Sequence, residues 1–472
     1  MPPVPSRWRS KRSFLWAALS LVLVAWGLTD VRNRGRWDPA TPLNHMTDLT
    51  VYTEAGAAFF DGRDPYAVSN PRGWHYLYPP LLAITLAPLS KLDSEWQVVI
   101  WYFFNLAVAW GCCYESLRML RLVKPTAIFA APTWLVALAA AAMLFPTLNC
   151  LQRGQVGLLV TYFVLLGLRL SLGSRSWLGW TAGGFSLALA IAVKLTPIMP
   201  ALFLVALLGL PVMMGWNHRK LAQAATLLGG IMAGLVVFLL LLPAAAVGWP
   251  ANLHHLHRFV DLIVFNHDMG GENDLTYHSV RNQSLTNAVY RLGNWVAYAW
   301  EGGPDDLAEP KPGETVVMPM DHPIVHRVVM AVRLGLLVLL TAVGWRAARR
   351  GATLDLAAAF GAACVATLLV SPLSWGHHYL IAAPGFLFVP VWYWRQGRIR
   401  FAKSLAISAC GLVFAHYLLL DWTGRAGLLG LGTTIWFLAA AIGMLQRFAA
   451  VNAAARIAEG DGPNPAQKLL AA

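Results

Sequence analysis

Long apolar runs recur along the whole of this chain, and they constrain its fold more than any other feature. A helix that crosses a membrane needs about 20 mostly apolar residues, and about twelve runs approach that length. They lie at roughly 13–29, 96–118, 127–146, 156–172, 177–193, 197–214, 222–247, 327–347, 353–371, 379–394, 402–420 and 428–447. Only 12% of the residues are charged, against about 25% in soluble domains. We therefore predict an all-α polytopic membrane protein with about 12 transmembrane helices.

Short basic clusters between the runs indicate how the chain is oriented in the membrane. Arg118, Arg121 and Lys124 follow one run, and the segment 395–403 holds further basic residues. Loops rich in Lys and Arg stay in the cytoplasm, which places both termini there and predicts an inner (plasma) membrane protein. Because the net charge of +13 is distributed over loops in this way, it does not indicate a nucleic-acid partner.

The same pattern predicts a single transmembrane domain. This domain extends over residues 1–447, and a short cytoplasmic tail follows at 448–472. Two outer loops are long, at about 31–95 and 248–326, but neither is long enough to form a domain with its own core.

One apolar segment of the first outer loop does not fit as a crossing. It runs from Tyr78 to Leu92, is short, and holds three prolines. We interpret it as a re-entrant or interfacial helix on the outer side. A thirteenth membrane span is the alternative.

Polar motifs of unusual composition gather on the predicted outer side. Charges held at a membrane face are costly and usually functional, whereas the inner loops hold little besides Arg and Lys. The outer motifs are Asp48, Glu54, Asp61 and Asp64 in the first loop, Gln152 and Gln155 after the third run, Lys194 after the fifth, Arg281 and Asn282 in the second long loop, and His377 and His378 before the tenth. This one-sided distribution predicts a site that opens to the outer face.

Each of these motifs also has a structural explanation. Asp48 can cap the helix that follows it, and Lys194, at a helix end, can reach along apolar surface toward water. Gln152 and Gln155 can cap helix ends, and His377 and His378 can form a pair at the interface. A zinc site needs three or four ligands, and no third ligand stands at a suitable spacing from the His pair. We predict no metal site.

Taken in their order along the chain, the motifs resemble those of glycosyltransferase family 87, a branch of the GT-C membrane glycosyltransferases. The matching elements are Asp48-x3-Tyr52, Gly62-x-Asp-Pro-Tyr66, Tyr78-Pro-Pro80, Gln152-x-Gly-Gln155, Lys194-x2-Pro197, Asn282-Gln-Ser-Leu285 and Ser371-Pro-x2-Trp375-x-His377-His378. They extend over most of the chain. The resemblance implies a GT-C fold with interfacial or re-entrant helices in the first outer loop.

The resemblance also implies an activity. Members of the family include mannosyltransferases that use polyprenyl-phosphomannose and arabinofuranosyltransferases of mycobacterial envelopes. The implied reaction moves a sugar from a polyprenyl phosphate to an envelope lipid or glycan at the outer face, with inversion; mannose is the first candidate, and arabinofuranose and glucose are alternatives. No cofactor is implied, and a requirement for a divalent metal stays open. The implied partners are the lipid bilayer, this donor and the acceptor, and we expect a monomer.

The resemblance further suggests roles for individual residues. Asp48 matches the Asp-x3-Tyr element and is the candidate general base. The candidate ligands of the donor phosphate are Lys194, His377, His378 and Arg281. The candidates for the sugar and the acceptor are Gln152, Gln155, Asn282, Asp64, Tyr78 and Trp375.

Two other classes of protein remain alternatives at this point. One is a transporter or flippase of polyprenyl-linked sugars, and the other is a non-catalytic protein that binds them. Transporters often contain two related halves with interrupted helices, and no such duplication is visible in the sequence. The intact Asp48 element argues against a non-catalytic binder.

Overall fold

The computed structural model describes residue 18 and residues 20–30, 32–33, 47–69, 75–123, 132–213, 215, 218–265, 281–301 and 323–446. Its helices in chain order are α1 (Ser20–Asp30), α2 (Leu49–Phe60), α3 (Pro80–Leu86), α4 (Ser94–Leu122), α5 (Thr133–Ala142), α6 (Leu144–Arg153), α7 (Gly157–Gly173), α8 (Trp177–Val193), α9 (Ile198–Met213), α10 (His218–Leu235), α11 (Leu242–Val247), α12 (Trp249–Phe259), α13 (Leu285–Glu301), α14 (Pro323–Arg350), α15 (Thr353–Val370), α16 (Ala383–Arg395), α17 (Ile399–Leu418), α18 (Leu420–Arg425) and α19 (Leu428–Leu445).

Other helical geometry connects some of these elements. The segments Val236–Leu241 and Val260–Phe265 are π-helical, and Ala87–Lys91 and Gly376–Ala382 are 3₁₀ helices. Within the described ranges, β-structure is limited to isolated bridges, Ser69 with His75 and Asn282 with Trp375. The predicted all-α class is therefore confirmed.

Several helices have the length and composition of membrane spans. Within the described residues, seven are long and apolar enough to cross a membrane: Ser94–Leu122, Thr133–Arg153, His218–Val247, Pro323–Arg350, Thr353–Val370, Ile399–Leu418 and Leu428–Leu445. Shorter apolar helices lie at α1, α7, α8 and α9. The prediction of a polytopic membrane protein is confirmed, and the count of 12 crossings stays a prediction. The predicted tail at 448–472 lies outside the described residues.

The short apolar segment of the first outer loop folds into α3 and the 3₁₀ helix that follows it. Together they extend from Pro80 to Lys91, which is about 20 Å at about 1.5 Å per α-helical residue and about 2.0 Å per 3₁₀ residue. A bilayer core is about 30 Å thick, so the segment is too short for a thirteenth span. It packs on α2 at Gly56, where a Cβ would lie 2.5 Å from the carbonyl oxygen of Ala83.

Helices α8 and α10 approach each other closely through glycines. A Cβ on Gly184 would lie 2.4 Å from the carbonyl oxygen of Leu227, and a Cβ on Gly230 would lie 2.6 Å from that of Thr181. Small residues permit such backbone contact between membrane helices, and the sequence Gly183-Gly184 predicts it. The contact fixes the position of α8, whose last residue precedes Lys194.

Helix α15 lies at the centre of the bundle and leads directly into the site. Its residues are buried from Leu354 to Leu369. The chain then turns through Ser371–Trp375 into the 3₁₀ helix Gly376–Ala382, and α16 continues from there. Gly361 and Gly385 bring α15 and α16 into contact, since a Cβ on Gly361 would lie 2.7 Å from the carbonyl oxygen of Pro384.

Candidate active site

A cavity of about 410 Å³ lies where the start of α2, the ends of α6 and α8 and the segment after α15 meet. Most of the predicted site residues line it: Asp48, Tyr78, Gln155, Lys194, Trp375, His377 and His378. Its volume is within the range of small-molecule sites, about 300–1,000 Å³. The fold therefore brings together polar motifs that are distant in the sequence.

Asp48 stands immediately before α2, but its side chain makes no capping hydrogen bond to the first turn of that helix. Its carboxylate instead accepts a hydrogen bond from Nε2 of Gln155 and lies 3.4 Å from Nε of Arg153. The backbone N–H of Asp48 donates to the carbonyl oxygen of Arg153 at 2.6 Å. The side chain is thus directed into the cavity, and the capping alternative for Asp48 is wrong.

The turn after α6 presents Arg153 and Gln155 to the cavity. Gly154 has a φ of +68°, a left-handed conformation that ends the helix. A Cβ at this position would also lie 3.1 Å from Cβ of Leu49. Nε1 of Trp101 donates to the carbonyl oxygen of Gly154 at 2.7 Å. The backbone N–H of Gln155 donates to the carbonyl oxygen of Cys150 at 3.0 Å. These bonds hold the turn against α2 and α4.

Gln155 connects Asp48 to two tyrosines. Its Oε1 accepts hydrogen bonds from the hydroxyl of Tyr52 at 3.1 Å and that of Tyr78 at 3.2 Å. Burial raises the pKa of both tyrosines, so their hydroxyls stay protonated at neutral pH. Tyr52 was not among the candidates, although the Asp-x3-Tyr spacing places it one helical turn from Asp48 on the same face.

Lys194 extends from the end of α8 toward the His pair. Its Nζ lies 2.9 Å from Nε2 of His378 and 5.5 Å from the ring centroid of Tyr78. Burial lowers the pKa of Lys194 to about 8, and the nearby Cys150 and Asp48 partly offset this effect. The amine therefore keeps a positive charge at neutral pH, in a place where that charge is poorly solvated.

His377 is 4% exposed and lines the cavity. Neither of its ring nitrogens has a hydrogen-bond partner in the part of the chain that the structure describes. Buried polar groups normally have partners, so a bound molecule is the natural partner here. Burial lowers the pKa of His377 and of His378 well below the usual range, and Lys194 and Arg153 add to this effect. Both imidazoles are therefore neutral in the free protein.

The remaining candidates do not line the cavity. Asn282 is fully buried, and its Oδ1 accepts hydrogen bonds from the N–H groups of Ser284 and Ser374, both at 3.1 Å. The N–H of Gln283 donates to the carbonyl oxygen of Ser374 at 2.8 Å. This motif thus holds the loop that carries Trp375.

Gln152, Asp64 and Arg281 also lie elsewhere. Nε2 of Gln152 donates to Asp30 at 3.1 Å, and Arg281 is exposed. Asp64 forms an ion pair with Arg258 of α12 at 2.8 Å. This pair connects the loop after α2 to α12, whose last residue, Phe259, lines the cavity.

Arg153 was missed by sequence reasoning. Its guanidinium lies 5.3 Å from the ring centroid of Trp375, within range of a cation–π interaction. It also pairs with Asp48, as described above. The sequence did contain a hint: Arg153 is a basic residue between two candidate glutamines, in a short turn on the predicted outer side.

Much of the remaining cavity wall is apolar. It includes Leu77, Leu195, Phe259, Ile263 and Val264, of which the last two belong to the π-helical segment Val260–Phe265. A wall of this kind suits a ligand that has a polar head and an apolar body. Within the described ranges no three His, Cys, Asp or Glu side chains gather as a metal site would require.

Comparison with known proteins places the chain in a family. The model of glycosyltransferase family 87 matches residues 76–372, which is more than half of the chain. This chain belongs to glycosyltransferase family 87. It is a membrane glycosyltransferase, and the predicted membership of this family is confirmed. Asp48 lies outside the matched region. No solved structure gives a significant match.

The chain is also similar to characterised mycobacterial enzymes. One is a polyprenol-phosphate-mannose-dependent alpha-(1-2)-phosphatidylinositol mannoside mannosyltransferase of Mycolicibacterium smegmatis, 27% identical over 78% of this chain and 74% of that protein. A Mycobacterium tuberculosis protein of the same description is 25% identical over 88% of this chain and 84% of its own length. A phosphatidylinositol pentamannoside mannosyltransferase of M. tuberculosis, also dependent on polyprenol-phosphate-mannose, is 27% identical over 72% and 65%.

Proposed function

We propose that this family 87 enzyme transfers mannose from a polyprenyl-phosphate donor to an envelope lipid or glycan, with inversion and with Asp48 as the general base. The observation that carries the proposal is one cavity that holds an acidic group, a cationic group and an apolar wall: Asp48, Lys194 and the residues around Phe259. The similar mycobacterial enzymes are described as dependent on polyprenol-phosphate-mannose, which supports this choice of donor.

The attacking group would be a hydroxyl of the acceptor. A sugar hydroxyl is a weak nucleophile and reacts well only when a base within hydrogen-bond reach takes its proton. Asp48 is 6% exposed and lines the cavity. As the hydroxyl oxygen bonds to the anomeric carbon, its proton passes to this carboxylate.

The leaving group would be the polyprenyl phosphate. The bond between the anomeric carbon and the phosphate oxygen breaks, and its electron pair goes to the phosphate. Cations and N–H donors placed where charge develops accelerate such a step. The Lys194 ammonium and the N–H of a neutral His377 can fill this role.

Inversion follows from a single displacement in which base and leaving group lie on opposite sides of the sugar. Lys194 and His378 come from the end of α8 and from the segment after α15, whereas Asp48 stands before α2. The basic clusters of the sequence support a cavity that opens to the outer face, with both termini in the cytoplasm. Family membership favours catalysis over transport or simple binding.

The proposal is tested with purified protein, radiolabelled polyprenyl-phosphomannose and a mixture of phosphatidylinositol mannosides. We expect a labelled acceptor and one equivalent of released polyprenyl phosphate, both formed about 10²–10⁴-fold more slowly in Asp48→Asn. Mass spectrometry of the product identifies the acceptor. Release with polyprenyl-phosphoarabinose and not with the mannose donor would refute the choice of sugar. Movement of intact donor across a liposome membrane without release would instead indicate a transporter.

A further inference from the structure

The side-chain amide of Gln155 is oriented so that its N–H group donates to the carboxylate of the proposed base, Asp48. Its Oε1 faces two tyrosine hydroxyls and its Nε2 faces the Asp48 carboxylate. An ionised carboxylate only accepts hydrogen bonds. The opposite orientation would place the amide oxygen against it, so the contacts select the orientation that donates to Asp48.

The surroundings leave Gln155 little freedom to move. The residue is 6% exposed. Its N–H donates to the carbonyl oxygen of Cys150 at 3.0 Å, and its carbonyl oxygen accepts from Sγ of Cys150 at 3.2 Å. Tyr52 and Tyr78 meet edge to face, with ring centroids 5.1 Å apart. The two rings therefore hold the amide oxygen in place from one side, while the helix end holds the backbone from the other.

We infer that Gln155 is a positioning residue that orients the Asp48 carboxylate toward the acceptor, and that it does not itself bind the sugar. This inference rests on the proposed function. Because Gln155 commits its amide to Tyr52, Tyr78 and Asp48, it is occupied before any substrate enters. The role replaces the contact with sugar or acceptor that the sequence suggested for this residue.

The hydrogen bond also favours the ionised form of Asp48, since a donor to a carboxylate stabilises its charge. Removing the donor should therefore move the acidic limb of the pH–rate profile to higher pH. The other titratable and charged groups around Asp48 are Arg153, Lys194, Cys150, Tyr52 and Tyr78. Burial raises the pKa of Tyr52 and of Tyr78 above the usual value and lowers that of Lys194 only to about 8, so none of these three accounts for an acidic limb.

The test compares Gln155→Met with Gln97→Met. Gln97 belongs to α4 and is also buried, at 8% exposure. It accepts a hydrogen bond from Thr53 of α2 and donates one to the carbonyl oxygen of Leu92, both at 2.8 Å. It does not line the cavity. Both variants lose a buried amide that holds α2, but only Gln155→Met loses contact with Asp48. Radiolabelled polyprenyl-phosphomannose and phosphatidylinositol mannosides serve as substrates.

We expect Gln155→Met to lower kcat about ten- to a hundredfold, as small misplacements of catalytic groups do, with the KM for the donor changed less than about threefold. The acidic limb should move up by about one pH unit, the size expected for a lost hydrogen bond to a charge. Gln97→Met should keep the parent profile. The shift should persist in His377→Asn and His378→Asn, which excludes the imidazoles as its source.

A double variant separates positioning from independent binding. In the Asp48→Asn background, Gln155→Met should change kcat less than about twofold, because no carboxylate remains to be oriented. If Gln155→Met does not fold, Tyr52→Phe and Tyr78→Phe should each give a smaller shift of the same sign.

Two results would overturn the inference. One is a raised donor KM with an unshifted acidic limb, and the other is an undiminished effect of Gln155→Met when Asp48 is already Asn. Full activity of Asp48→Asn alone would refute the proposed base, and with it any role of Gln155 through that base. The two failures are therefore distinguishable.

Discussion

Nζ of Lys194 lies 2.9 Å from Nε2 of His378, although 184 residues separate the two in the sequence. The other ring nitrogen of His378, Nδ1, lies 3.3 Å from the backbone nitrogen of Trp375 and 3.4 Å from the carbonyl oxygen of Leu373. A charged Lys194 must donate to Nε2, which moves the imidazole hydrogen to Nδ1 and toward Leu373. The charge on Lys194 and the tautomer of His378 are therefore coupled.

Loss of the lysine should weaken use of the donor. We expect Lys194→Ala to raise the donor KM or lower kcat/KM about ten- to a hundredfold, because a hydrogen bond to a charge contributes about 1.5–3 kcal/mol. Lys91→Ala is the matched control, since Lys91 is an exposed lysine that does not line the cavity. Unchanged steady-state kinetics in a folded Lys194→Ala protein would remove Lys194 from the donor site.

The lowered pKa of Lys194 predicts how donor use depends on pH. Its pKa lies near 8, below the usual value for lysine, so the ammonium is lost as pH rises through about 8. The kcat/KM for the donor, which reports the free enzyme, should fall by up to tenfold per pH unit above that point. Lys194→Arg keeps its charge and should lose this limb. A flat parent profile to pH 10 would contradict the prediction.

Removal of the Asp48 carboxylate should greatly slow catalysis while leaving the protein folded. Asp48→Asn keeps the size of the side chain, and we expect a loss of about 10²–10⁴-fold in kcat, the usual contribution of a positioned base. Asp61→Asn is the control, because Asp61 pairs with Arg63 at the surface at 3.0 Å. The idea fails if Asp48→Asn turns over near the parent rate while another acid of the first loop proves essential.

Asn282 should matter for stability more than for the reaction. Asn282→Ala leaves the N–H groups of Ser284 and Ser374 without their acceptor, and such groups cost about 1–3 kcal/mol each when buried. We expect a lower apparent Tm in detergent and a kcat/KM that falls only modestly in the folded fraction. Loss of turnover at an unchanged Tm would show that Asn282 contacts substrate after all.

The orientation of the chain can be measured by cysteine labelling in intact cells. A cysteine at position 70, in the predicted first outer loop, should react with an impermeant reagent. A cysteine at position 397, in a predicted cytoplasmic loop beside Arg395 and Arg398, should react only after permeabilisation. Labelling of position 397 from outside would reverse the topology and place the cavity on the opposite face.

The sequence was most informative where one physical requirement dominates. Apolar run length predicted the helices, and the prolines between Tyr78 and Leu92 predicted a segment too short to cross. The Gly183-Gly184 pair predicted close packing. Each of these depends on local composition, which a single sequence displays directly.

Sequence reasoning was less successful at separating residues that line the cavity from residues that support it. Gln152 and Gln155 look alike in sequence, but the left-handed Gly154 lies between them and directs them to different partners. Asn282 stands in a matching motif, but it supports the loop that carries Trp375. Arg153 enters the site through Asp48 and Trp375, two partners that only the fold brings near it.

The glycine contact between α8 and α10 gives the site a rigid support. Gly184 and Gly230 bring two backbones together with no side chain between them, so rotamer changes cannot alter the spacing there. Lys194 emerges less than three turns beyond Gly184. The reach of its amine into the cavity is thus determined by backbone packing within the bundle, and loops at the surface can change without moving it.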